Sequence, residues 1–566
     1  MPKMWSDYSK FKQLFRTVSN IILTYTGKYP ILISTTYLAL TGNQAFWKAL
    51  AELNTDDIWH TLLFTPSFFI LIVSFTAILL YLVRVKYVFK PVLMFVLVAS
   101  SFASYYMTNY GIMIDTTMIY NLAETDSSEA ADLLGIGLLR HVLIAGVFPA
   151  FIIFKSKINY ASPLKQLFHN SVAITLITFL FIGNFLLFSS HYTSFFRNHH
   201  HVRYLINPIN YVYSIGKYVA QTIMVEDQTP VQIGLDARQV KISGSKPRRS
   251  IIVIVVGETA RAMNFSLNGY NKLTTPLLLN NKEILNYSNF SSCGTSTHVS
   301  LPCMFSKFER NNFDETRAKR YEKLPDVLLH AGLDVSWRDN NSGCKGVCKN
   351  IPTENTNLLH LDSLCNHSEC FDEAMLVGLK DIIENKSKDA VIILHQKGSH
   401  GPAYYLRHPK RFQKFTPECT SNELNNCSQQ EIVNAYDNTI LYTDYFLDKV
   451  ISLLMKEADK MDTAMLYISD HGESLGEHQV YLHSLPYVIA PEEQTHVPFI
   501  TWFSDGFRKT NQLDMSCLKN NVEKSYSHDN LFHSILGLTH VSTSLYKPAL
   551  DIFRPCKKVL LQANAY

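Results

Sequence analysis

The chain has 566 residues, too many for one core, so at least two domains are expected. Its net charge of +4 is small, and with no dense Lys/Arg block it does not read as a nucleic-acid binder. Composition divides it sharply, because residues 1–190 are dominated by long apolar segments and residues 245–566 are mixed and polar.

Five segments of the first part meet the ~20-residue apolar requirement for a membrane-spanning helix. They are Tyr29–Phe46, Leu62–Val83, Pro91–Asn109, Leu138–Phe154 and Val172–Ser189. Lys3, Lys10, Lys12 and Arg16 precede the first, Arg84, Lys86 and Lys90 follow the second, and Lys155, Lys157 and Lys165 follow the fourth. The loop Met107–Leu139 has no Lys or Arg, and Glu52, Asp56 and Asp57 precede the second span. The positive-inside rule then places the N-terminus in the cytoplasm and everything after residue 190 outside. A multi-domain protein is expected: residues 1–190 a five-helix anchor, 191–249 an interfacial bridging helix and linker, and 250–566 an extracytoplasmic α/β domain.

Within the last part, three short apolar runs end in groups that can hold metal or phosphate. Ser250–Val256 leads into Gly257-Glu258-Thr259, Ala390–Leu394 into His395, and Thr463–Ser469 into Asp470-His471-Gly472-Glu473. Such runs suit buried parallel strands, and open α/β sheets bind ligands at the strands' carboxyl ends. All ten cysteines lie beyond residue 290, falling as Cys293/Cys303, Cys344/Cys348, Cys365/Cys370, Cys419/Cys427 and Cys517/Cys556. Even number and close spacing favour disulfides in an oxidising compartment, with a zinc ribbon as the alternative and connectivity unfixed.

Glu258, Asp470 and His471 form a candidate zinc site, with the Thr297 hydroxyl in the fourth position. A cation lowers the pKa of a bound hydroxyl, which suits it to act as a nucleophile. Singly, each residue also has an ordinary reading: a helix-end carboxylate, a loop hydroxyl, a turn. Asn121, Thr125 and Glu129 follow an i, i+4, i+8 spacing that would align them on one helix face.

The segments Val256–Arg261 (VGETAR), Ser292–Thr297 (SCGTST), Ser300–Phe305 (SLPCMF), Trp337–Asn341 (WRDNN), His395–Pro402, Asn434–Asn438 (NAYDN) and Ser469–Gly476 (SDHGESLG) together resemble the lipid A phosphoethanolamine transferases, including the mobile colistin-resistance enzymes. The resemblance covers nearly the whole chain. It implies an alkaline-phosphatase-like hydrolase domain in the bacterial periplasm behind an inner-membrane anchor. It implies Thr297 as nucleophile and Glu258, Asp470 and His471 as ligands of one tightly held zinc ion, and it leaves open whether a second ion takes part in turnover. His400 and His483 are implied as proton-transferring catalytic residues. Asn121, Thr125, Glu129, Ser342, Lys345 and His395 are implied as substrate contacts. Two positions depart from the family pattern. His298 replaces a small residue after the nucleophile, where it is expected to add a proton acceptor or metal contact, and His478-Gln479 replaces an Asn-Gly turn.

What the resemblance implies is a two-step transfer of phosphoethanolamine from phosphatidylethanolamine to lipid A, by a monomer and without nucleic acid. The acceptor position stays open among the lipid A phosphates, Kdo and heptose. The added ammonium would weaken attraction of polymyxins and other cationic peptides. A phosphoglycerol transferase would share the metal–threonine logic and differ in donor headgroup. A sulfatase would need a Cys-x-Pro-x-Arg setting, which Leu301-Pro302-Cys303 lacks. A non-catalytic membrane-anchored binding protein would have no need of the intact Glu258/Thr297/Asp470/His471 set.

Overall fold

In the computed structural model the described residues are 17–18, 20–52, 60–125, 127–226, 231–240, 248–359, 361–365 and 369–558. Lys3, Lys10, Lys12, Arg16, Asp56 and Asp57, which carry part of the inside–outside expectation, lie outside them. The chain divides into two compact units, Met1–Ile119 with Leu134–Lys217 and Tyr120–Leu133 with Tyr218–Tyr566. The segment 120–133, between the third and fourth expected spans in sequence, belongs to the second unit.

The first unit is helical. Leu62–Leu82, Phe89–Tyr110, Ile136–Lys155 and Pro163–Leu187 are each long and apolar enough to cross a membrane. The last begins at Pro163 rather than Val172, since proline fits the first turn of a helix. Its polar first turns satisfy themselves: the Gln166 amide accepts from Ala161 N–H (3.1 Å) and donates to Asn170 (2.7 Å). The first expected span is different. Its helix, Pro30–Thr41, has 12 residues, or about 18 Å of rise against a hydrocarbon core of about 30 Å. Pro30 separates it from helical residues 20–28, and Asn43 ends it by donating to Leu38 O (2.9 Å) and Asn207 O (2.9 Å).

The second unit is built on a seven-stranded sheet. Its strands are β1 (Ser250–Gly257), β2 (Leu285–Tyr287), β3 (Asp334–Asp339), β4 (Thr353–Asn355), β5 (Ala390–His395), β6 (Asp462–Ser469) and β7 (Phe499–Phe503). The order is β2-β7-β6-β1-β5-β3-β4. β6, β1, β5, β3 and β4 run parallel, while β7 is antiparallel to both β6 and β2. β1 and β6 are buried along nearly their whole length, because each β-branched or aromatic residue meets a covered face. One cover packing against β6 is the helix Gln429–Glu457. It opens on a capping box in which Ser428 N–H donates to Glu431 (2.7 Å) and the Ser428 hydroxyl accepts from Glu431 N–H (3.4 Å). Trp337, Phe499, Phe503, Phe507 and Phe532 fill the core beneath the sheet.

All ten cysteines are paired, as Cys293–Cys303, Cys344–Cys348, Cys365–Cys370, Cys419–Cys427 and Cys517–Cys556. With every sulfur in a disulfide, the zinc-ribbon alternative falls.

Candidate active site

The carboxyl ends of the two central parallel strands supply most of the site. β1 runs into Glu258 and β6 into Asp470 and His471, and the register sets Gly257 beside Ser469. The residues that follow are therefore neighbours. Thr297 is the first residue of the helix Thr297–Met304, after an extended Ser296. Its hydroxyl donates to Glu258 Oε2 (3.0 Å) and lies 3.4 Å from His471 Nε2. That nitrogen is in turn 3.4 Å from Glu258 Oε1 and 3.3 Å from Asp470 Oδ2.

The fit of this set to a cation can be read from its protons. His471 Nδ1–H donates to Gly472 O (2.9 Å), so in the neutral ring Nε2 carries a lone pair. Burial, then the charge of His483, pushes the His471 pKa well below its ordinary value and keeps the ring neutral. Glu258 Oε1 and Asp470 Oδ2 meet no hydrogen-bond donor among the described residues. Three bare lone pairs thus converge, all fully buried, with ligand atoms within 4.8 Å of one another. Burial raises both carboxyl pKa values, and Asp470 raises that of Glu258 further. Uncompensated buried anions cost several kcal/mol each, whereas zinc takes this combination of oxygen and nitrogen ligands. The residues fit the metal.

A second layer fixes these side chains. Asn341 donates to Glu258 Oε2 (2.7 Å) and stands 3.3 Å from His395 Nε2. His395 is held from behind by Asp339 (3.0 Å), which also accepts from the Trp337 indole (2.7 Å). Both His395 nitrogens are therefore engaged within the protein, and the ring is fully buried. Gly398 approaches Glu258 so closely, at φ +54°, that a Cβ there would lie 2.7 Å from Glu258 O and 2.9 Å from its N. Gly398→Ala is expected to cost at least about 2 kcal/mol from the left-handed backbone alone and to displace Glu258. Zinc content and melting temperature are the readouts, and values equal to wild type would contradict this close approach.

The histidines form a file beside the cluster. His483 has its ring centroid 4.5 Å from that of His471 and 5.7 Å from that of His400. Burial opposes charge on His483, but Glu473 at 2.7 Å, with Glu258 and Asp470 behind it, raises its pKa to about 9. Glu473 is itself held by the Tyr404 hydroxyl (2.6 Å). His400 is pushed well below its ordinary value by burial and then by Lys397. One ring that holds a proton thus lies beside one that does not, an arrangement suited to acid–base work.

Asn121, Thr125 and Glu129 are not on one helix. The helix Thr116–Glu124 stops before Thr125, whose hydroxyl donates to Asn121 O (2.7 Å), and a second helix, Ser127–Asp132, follows. A threonine side chain competes for backbone groups, and at Thr125 this breaks the expected stripe. Asn121 donates to Ser484 (2.9 Å), next to His483. Glu129 is buried, paired with Lys397 (3.0 Å) and 4.0 Å from His400. Burial would raise the Glu129 pKa, but Lys397, then Lys345 and Ser342, hold it below the usual carboxylate value. Lys345 Nζ is 3.2 Å from both Ser342 O and Ser342 Oγ.

Sequence reasoning missed Asn341, Glu473, Asp339 and Lys397. All four lay within quoted motifs, which was the available signal. It also misplaced His298. That ring faces Glu124 (3.0 Å) and Glu315 (3.6 Å) and stacks on Tyr120 at 4.4 Å. Nδ1 is hydrogen-bonded to Glu124 and Nε2 lies 3.6 Å from Glu315, so the ring faces these carboxylates and not the candidate metal ligands.

Two family models match the chain, the one described as phosphoethanolamine transferase EptA/EptB over residues 72–223 and the one described as sulfatase over residues 250–541. Phosphoethanolamine transferase EptA of Escherichia coli strain K12 is 38% identical over 531 residues, covering 94% of this chain and 97% of that protein. Phosphatidylethanolamine transferase Mcr-1 of Escherichia coli is 40% identical over 535 residues, covering 92% and 96%. The solved integral membrane protein lipooligosaccharide phosphoethanolamine transferase A of Neisseria meningitidis superposes with a TM-score of 0.90 at 37% identity, covering 94% of this chain and 98% of that one.

Proposed function

Because the chain belongs to the EptA/EptB phosphoethanolamine transferases, we propose that it moves phosphoethanolamine from phosphatidylethanolamine to lipid A, or to the adjoining lipopolysaccharide core, through an ester of Thr297. The observation that carries the reading is the Thr297 hydroxyl, 3.0 Å from Glu258 and 3.4 Å from His471, at the mouth of three converging ligand atoms. Glu258, Asp470 and His471 would hold one zinc ion, with the Thr297 hydroxyl as the fourth group. When bound, zinc supplies positive charge against the phosphate oxygens and lowers the pKa of the hydroxyl.

In the first step Thr297 Oγ bonds to phosphorus and its proton leaves along the hydrogen bond to Glu258. The phosphorus–oxygen bond to diacylglycerol breaks, and that oxygen takes a proton from His483, with the neutral His400 beside it. In the second, an acceptor oxygen bonds to phosphorus and gives its proton to the histidine. The bond to Oγ breaks, and Oγ regains the proton from Glu258. Lys345 and Ser342 contact the phosphate. Asn121, Thr125 and Glu129 border the headgroup, and His395 contributes through Asn341.

Residues 1–190 serve as the anchor in the inner membrane, 191–249 as the bridge and 250–566 as the periplasmic catalytic domain. The interrupted helical stretch 20–41 supplies a fifth crossing, which leaves the N-terminus in the cytoplasm. The product carries an extra ammonium and so binds polymyxins less strongly. The test is the full-length zinc-loaded protein in phosphatidylethanolamine vesicles with lipid A added, followed by mass spectrometry. Diacylglycerol release with a phosphoethanolamine addition to the acceptor is expected. Addition of phosphoglycerol from phosphatidylglycerol instead, or no addition, overturns the reading.

A further inference from the structure

A cavity of about 500 Å³ opens beside the site, and three of its lining residues connect to the groups around Thr297. Pro302 belongs to the helix that begins with Thr297. Ser342 follows Asn341, the residue that holds Glu258. Glu124 accepts from His298, the neighbour of Thr297. The cavity is larger than a phosphoethanolamine group requires and lies within the size range of pockets that bury a small ligand.

Its charge is unevenly spent. Glu322 is occupied by the Ile233 N–H (3.0 Å) and His330 (2.8 Å), and Asp326 by the Lys323 N–H (2.8 Å) and Asn350 (2.9 Å). Lys323 spends its own ammonium on two backbone carbonyls. On this wall Glu124 faces both Lys319 (3.8 Å) and Lys345 (3.7 Å) and is already shared with His298; Glu315 also attracts Lys319, which lies 4.1 Å from the Tyr120 ring, and Glu129 attracts Lys345. Lys349 adds a third ammonium, exposed at the rim, with no ion pair among the described residues. Two loosely held lysines and one unpaired lysine make the cavity attractive to phosphate and repellent to a headgroup ammonium. By contrast, the smaller cavity beside Lys397 and Arg407 has its cations matched, Lys397 by Glu129 and Glu369, and Arg407 by Glu369 and Asp132.

We propose that this cavity is the acceptor subsite and takes a phosphorylated sugar, with Lys319 and Lys349 recognising a phosphate while Lys345 faces the group in transfer. The proposal rests on the transferase reading above. It assigns Lys319 and Lys349 a role in the second half-reaction alone, since the donor's ammonium is disfavoured there.

The test uses the full-length Lys319→Gln and Lys349→Glu variants, and their double variant, in phosphatidylethanolamine vesicles. Single-turnover diacylglycerol release without acceptor reads the first half-reaction. Transfer against increasing lipid A, and separately against lipid A bearing Kdo, reads the second. Release within twofold of wild type, with acceptor KM raised tenfold or more in the double variant, is the expected result, and Lys349→Arg should restore it. The acceptor whose KM rises more identifies the source of the phosphorylated sugar. Unchanged acceptor KM for both lipids overturns the proposal, as does a parallel fall in release and transfer. If the wild type itself releases no diacylglycerol, the transferase reading fails and the acceptor subsite with it.

Discussion

Replacing Thr297 by alanine is expected to lower phosphoethanolamine transfer by at least a thousandfold while leaving zinc content at the wild-type level. Among the described residues the side chain carries the one hydroxyl within reach of both Glu258 and His471, so its loss removes the proposed nucleophile. Zinc should stay, because β1, β6 and Asn341 still hold Glu258, Asp470 and His471 once the Thr297 hydrogen bond to Glu258 is lost. Mass spectrometry of lipid A from cells producing each form, alongside metal analysis of the purified proteins, checks both halves. Equal addition by the variant would remove Thr297 as nucleophile. Loss of zinc together with activity would instead make it chiefly a ligand.

Stripping the metal is expected to abolish transfer and to lower the melting temperature of the protein by on the order of 8–16 °C, with both restored by added zinc. A ligand present at a thousand times its dissociation constant stabilises the folded state by about 4 kcal/mol, and each kcal/mol moves the midpoint of a large domain by about 2–4 °C. Here the effect has a visible cause, since removal leaves Glu258 Oε1, Asp470 Oδ2 and His471 Nε2 facing one another in a fully buried site. Asp470→Asn should therefore cross over. It should fail to hold zinc and fail in transfer, yet melt above metal-free wild type because one buried charge is gone. A calorimetric comparison of the three forms decides this. A variant that melts below stripped wild type would show that the carboxylates are compensated by something other than a cation.

The metal-ligand set was legible because it lies where backbone rules place it. Short β-branched runs end in Glu258 and in Asp470-His471, and strand ends in parallel sheets collect on one edge. Thr297 was reached through its motif, and the cysteine pairs through their spacing. What escaped was everything fixed by contacts distant in sequence. Glu473 reads as part of a turn until His483 is seen 2.7 Å away. Nothing local announces that Glu124 meets His298, or that Lys397 meets Glu129, because those partners are brought together only by the fold. The stripe through Asn121, Thr125 and Glu129 failed for the opposite reason, since local side-chain competition at Thr125 overrode a correct spacing. The first expected span shows a third limit, for hydropathy measures apolar length, whereas Pro30 and Asn43 decide where the helix runs.

The Cys293–Cys303 bond closes a ring of chain around Thr297. A covalent ring limits how far its members can wander before the rest of the chain has settled. Glu258, Asp470 and His471 hang from strands that contain no cysteine. Of these four residues Thr297 alone lies inside a ring closed by a bond that needs an oxidant. Its maturation is therefore tied to geography. Chains held among cytoplasmic thiols would carry the ligands of the metal without a tethered threonine, and competence would arrive only with export, on the side of the membrane where the proposed substrates lie.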